Sequence, residues 1–74
     1  MNHSFTFDMA KALAERIEGE SSDTAGQIKR AFLLAFSRTP DDQESIAAIA
    51  LVNEYGLQTF CRALLNANEF IHVD

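Results

Sequence analysis

Cys61 is the one thiol in the chain, and a thiolate nucleophile needs a base or a cation beside it. No histidine stands near it in sequence. It falls in the stripe Leu57, Phe60, Leu64, where a thiol behaves as a small hydrophobe, so a buried and inert cysteine is expected. His3 and His72 sit near opposite ends. With Asp8 or Asp74 they would make at most a weak metal set, and solvated ends are the expected state. One Cys and two His close neither a disulfide nor a structural zinc site, and the C-x-x-C-H of a c-type haem is absent.

The carboxylates give no site either. Asp41, Asp42 and Glu44 lack the turn glycine and the spaced bidentate glutamate of a calcium loop. Paired-carboxylate hydrolysis needs a pocket, and a chain this short buries little ligand. The patches Glu15-Glu18-Glu20 and Asp41-Asp42-Glu44 read as solvated faces. No catalytic, cofactor-binding or metal residue is therefore assigned, no ligand is expected, and the chain is not read as an enzyme. A small acidic acyl-carrier-like protein is the alternative. It wants an Asp-Ser-Leu setting at a helix start, and neither Ser21-Ser22-Asp23 nor Ser37-Arg38-Thr39 provides one.

Seventy-four residues allow one small domain, 1–74, and 47% apolar residues equip it with a core. Six Lys and Arg against eleven Asp and Glu leave a net charge of -5. That balance argues against nucleic acid or an anionic membrane as partner, since both recruit clustered cations. The start, Met1 to Ala10, has no basic region followed by an apolar run and does not read as a signal peptide. The longest dense apolar stretch, Ile46 to Val52, is far shorter than the ~20 residues of a membrane helix.

Three breaks divide the chain into four segments. Gly19 opens the polar stretch Gly19-Glu20-Ser21-Ser22-Asp23, Arg38-Thr39-Pro40 makes the second break, and Gly56 the third. Each segment carries the helical three-four period. Helices are predicted over about 4–18, 24–37, 40–54 and 57–67, an all-α array with an extended C-terminal tail at Phe70-Ile71-His72-Val73. Asn2 or Ser4 would cap the first helix and Gly19 end it. Asp23 would cap the second, with Gly26 weakening its first turn by ~1 kcal/mol against Ala. Thr39 would cap the third, with Pro40 at its first position and a Thr39–Asp42 capping box. Ile46 to Val52 is apolar nearly all round, which places the third helix most centrally. Leu57, Phe60, Cys61, Leu64 and Leu65 form the stripe of the fourth.

Two strings are less generic. Arg38-Thr39-Pro40-Asp41-Asp42-Gln43-Glu44 is an R-x-P-x-x-x-E string, and the chain closes on Leu64-Leu65-Asn66-Ala67-Asn68-Glu69-Phe70-Ile71-His72-Val73-Asp74. Together with the opening Asn2 to Phe5 and Ala10 to Arg16, they resemble the C-terminal part of the planctomycete-specific, cytochrome-c-associated domain-of-unknown-function family. That family closes on an L-L-N-S-N-E-F-L-Y-V-D-like string. Ser37 stands where a glycine is usual and His72 where an aromatic is usual. The resemblance implies the last helical piece of a large exported planctomycete or verrucomicrobial protein, periplasmic or at the cell surface, with any haem-linked role upstream.

The residues singled out for interaction are Arg38, Pro40, Glu44, Asn66, Asn68, Glu69 and Phe70. For the first three, a plain reading is a helix start with Arg38 closing onto Glu44. For the others, Asn68 would end the last helix in a left-handed turn and Phe70 fold back. The expected function is a non-catalytic helical module whose partner is the rest of a parent chain or another protein, with no nucleic acid and no membrane insertion.

Overall fold

The structure, a computed structural model, describes residues 3–67, with side chains from Asp8 onward. Four helices follow one another: α1 (His3–Glu20), α2 (Thr24–Phe36), α3 (Asp42–Tyr55) and α4 (Leu57–Leu65). The all-α array expected from the periodicity is present, and no strand occurs among the described residues. The proposed caps Asn2 and Ser4, and the tail from Asn68 onward, lie outside the described backbone or side chains.

Gly19 does not end α1. The helix runs through it to Glu20, although glycine costs roughly 1 kcal/mol in a helix interior. The two extra residues place the Glu20 carboxylate where the Nε of Arg16 donates to it at 3.1 Å and that of Arg30, on α2, at 2.7 Å. The two guanidinium groups, Arg30 foremost, hold the Glu20 carboxyl below its ordinary range. Such exposed pairs add little stability each, and the Arg30 bond links the end of α1 to α2.

α2 starts where its sequence says. The carboxylate of Asp23 accepts from the Gly26 amide at 2.8 Å. A side chain at Gly26 would run into that carboxylate and into the hydroxyl of Ser21. The glycine costs helix propensity but leaves room for the cap. At the other end α2 stops at Phe36, because Ser37 takes up a left-handed conformation (φ 60°, ψ 28°) while its amide donates to Leu33. A serine pays for that geometry with its Cβ, whereas glycine does not. Ser37→Gly is therefore expected to raise stability by about 1 kcal/mol, read as an upward shift of the urea midpoint.

α3 begins two residues later than the capping pattern around Thr39 suggests. Asp41 is the N-cap: it accepts from the Glu44 amide at 2.8 Å, and Glu44 reaches back to the Asp41 amide at 2.9 Å. Two overlapping capping boxes are written in the sequence, Thr39–Asp42 and Asp41–Glu44. The second wins because a glutamate has the extra methylene that the return bond requires. Pro40 thus precedes the cap rather than opening the helix. Gly56 is the single residue between α3 and α4, at φ 96° and ψ 164°, a region essentially closed to residues with a Cβ. α4 ends at Leu65, short of the expected 67, with Asn66 in right-handed geometry at its cap.

The core gathers Ala10, Ala14 and Ile17 of α1, Ile28, Ala31 and Phe32 of α2, and five residues of α4: Leu57, Phe60, Cys61, Leu64 and Leu65. The small Ala10 and Ala14 let α4 lie close along α1, the most extensive helix pair in the molecule. α3 supplies one fully buried residue, Ala48, with Leu51 and Val52 half-buried against the core. It meets α2 and α4 but not α1, so α1 and α3 flank the α2–α4 pair on opposite sides. The apolar helix expected at the centre is thus at the edge, and the short α4 is the central one.

Candidate functional site

Arg38 joins the end of α2 to the start of α3. Its guanidinium grips Glu44 with two parallel bonds, Nη1 to Oε1 and Nη2 to Oε2, both 2.8 Å, the bidentate geometry in which such pairs are strongest. The same group lies over two rings, 5.5 Å from the centroid of Phe32 and 5.6 Å from that of Phe36. Glu44 thus answers both the arginine and the backbone of Asp41. The Arg38 fork first, and the Asp41 amide second, bring its carboxyl down to about 2. The R-x-P-x-x-x-E string accordingly builds a helix start. Pro40 lies beside Thr39, Ala25, Lys29 and Ser45 in a shallow depression on the neighbouring surface.

Behind Glu44 opens a groove of about 290 Å³. Phe32 and Phe36 of α2, Ala47 and Leu51 of α3, and Phe60 and Ala63 of α4 line it. Its wall is mostly carbon. The ring of Phe32 stacks on Phe60 at 6.3 Å and meets Phe36 edge-on at 5.4 Å, which stiffens one side, while the alanines leave the other side open. Glu44 is its one charged lining residue and is already neutralised by Arg38.

A second apolar surface lies on the outer face of α3. Ile46 is 70% exposed and Ile49 37%, and Ala47 and Ala50 are exposed beside them. Ile46, Ile49, Ala50 and Asn53 recur at the three-four spacing that puts residues on one helix face. Nothing in the described chain covers this face.

Other residues with chemical capability are placed apart. Cys61 is fully buried. Burial, with the Glu18 carboxylate adding to it, pushes its thiol up to about 12. Native protein is therefore expected to resist a thiol reagent at pH 8, with full labelling appearing only in urea; labelling at the rate of a free thiol would contradict the packing of α1 on α4. Ser21 donates to Asp23 at 3.3 Å within the α1–α2 turn, and Ser37 caps α2. No cluster of three metal-ligating side chains occurs among the described residues.

Of the residues singled out by sequence, Arg38 and Glu44 meet, Pro40 lies next to them in the chain, and Asn66 caps α4 near Ala67 at the groove's end. Asn68, Glu69 and Phe70 lie outside the described residues, as do His72 and Asp74. No sequence motif marks the groove or the α3 face. Their signal was present nonetheless, in a helix too apolar for an edge position. No family model, curated protein or solved structure matches the chain.

Proposed function

We propose that this chain is a non-catalytic helical interaction module that closes a larger exported protein, as the resemblance of its R-x-P-x-x-x-E string and its C-terminal string implies. The observation that carries the reading is α3. A helix body that is apolar nearly all round belongs in an interior, yet α3 fully buries Ala48 alone, half-buries Leu51 and Val52, and leaves Ile46, Ala47, Ile49 and Ala50 in solvent. An apolar face of this kind, left in solvent, marks an association surface. The partner is the remainder of a parent chain or another protein.

A chain of this size folds with only ~3–5 kcal/mol to spare, so covering α3 also stabilises the module by mass action. The test is to mix the chain with the polypeptide encoded directly upstream in its reading frame. Association that raises the melting temperature supports the reading. An upstream product that neither binds nor needs this piece for its own folding counts against it.

A further inference from the structure

The chemistry of the partner is written in the charges around α3. From Thr39 to Cys61 the chain carries four carboxylates, Asp41, Asp42, Glu44 and Glu54, and no Lys, Arg or His. Arg38 occupies Glu44. The others stand at the two ends of α3, with Ile46, Ile49 and Ala50 between them. At 1.5 Å per residue, Asp42 and Glu54 are about 18 Å apart along the axis. The uncovered face is thus an apolar strip with negative charge toward either end, on the side of α3 turned away from the groove.

Resting on the module reading above, we propose that this face seats an amphipathic helix with an aliphatic stripe and a basic residue toward each end. A second copy of the chain fits poorly. Antiparallel pairing of two α3 helices sets Asp41 and Asp42 of each against Glu54 of the other, and parallel pairing sets like groups side by side. Either way carboxylates meet carboxylates, and two chains of net charge -5 repel one another at longer range. A helix with basic ends meets attraction at both ends, and its apolar stripe covers the isoleucines.

The experiment uses two synthetic peptides matching the 14 residues of α3 in length, each with leucines at the three-four spacing. One carries arginines at both ends and the other glutamates. Amide shifts of the labelled chain report where each binds. The arginine peptide is expected to shift the amides from Asp42 to Tyr55. Its affinity should fall with salt, exceed that of the glutamate peptide by about tenfold or more, and drop by about tenfold in Ile46→Asn. Ile46 is so exposed that the variant keeps its fold, which its own spectrum verifies. Equal binding of both peptides, shifts confined to other helices, or a dimer in the peptide-free chain that Ile46→Asn dissolves would overturn the proposal. If the upstream polypeptide binds the Ile46→Asn variant at full affinity, this assignment fails while the module reading stands.

Discussion

Phe60→Ala is expected to leave the chain largely unfolded in dilute buffer at room temperature. Phe60 is 3% exposed and stacks on Phe32, tying the central α4 to α2. Truncating a buried phenylalanine costs about 3–5 kcal/mol, part in lost transfer energy and part in the cavity left behind. That equals the roughly 3–5 kcal/mol on which so small a core rests. The far-UV helix signal should collapse and no cooperative urea transition should remain. Two companions give the result its meaning. Phe60→Leu keeps most of the apolar volume and is expected to stay folded with a lower midpoint. Ile46→Ala removes a side chain that is 70% exposed and should move stability by no more than about 0.5 kcal/mol. A Phe60→Ala protein that still melts cooperatively, with a loss under about 1 kcal/mol, would mean that the core is not organised around α4.

The contrast between Phe60 and Ile46 also explains what could be read from the chain beforehand. Helix number and order were legible, and the boundaries to within two residues, because the three-four spacing and residues such as Asp23 and Gly56 act locally. Burial order was not. α4 announces its inner face, since Gln58, Arg62 and Asn66 lie off the Leu57–Phe60–Leu64 stripe. α3 has no such polar side between Ile46 and Val52, so its sequence states how much surface wants cover without stating which neighbour provides it. The chain's own answer is Ala48, with Leu51 and Val52 half-buried beside it. The cap of α3 was ambiguous for another reason. Two boxes two residues apart satisfy the same spacing rule, and the choice depends on the reach of Glu44 and on the Arg38 fork that holds it. The groove was illegible because it is made of gaps, at Ala47 and Ala63, between side chains from three helices.

That fork makes the second large prediction one of pH. Glu44 has its carboxyl lowered from 4.5 to about 2 by Arg38 first and the Asp41 amide second. A group whose proton affinity falls on folding stabilises the fold above its unfolded value and loses that contribution as protons bind. The share due to Glu44 is therefore complete above about pH 4.5 and fades as pH falls toward about 2. Glu20, lowered mainly by Arg30 and then Arg16, adds loss of the same sign. The wild-type urea midpoint should decline through this window. Glu44→Gln keeps a side chain able to reach back to the Asp41 amide, but it has no charge to offer Arg38. Its midpoint should lie lower at pH 7, decline less steeply, and approach the wild-type curve near pH 2.

Arg38→Lys separates charge from shape. A single ammonium cannot make the two parallel bonds or lie flat over Phe32 and Phe36, and the ring contacts alone are worth about 1 kcal/mol. The lysine variant is thus expected to resemble Arg38→Ala more than wild type at pH 7. Both side chains of the pair are about a third exposed, so raising salt should reduce the charge component and leave the ring component in place. Parallel acid profiles for wild type and Glu44→Gln would show that the Arg38–Glu44 fork does not hold α2 to α3, and with it would go the wall that closes one end of the groove.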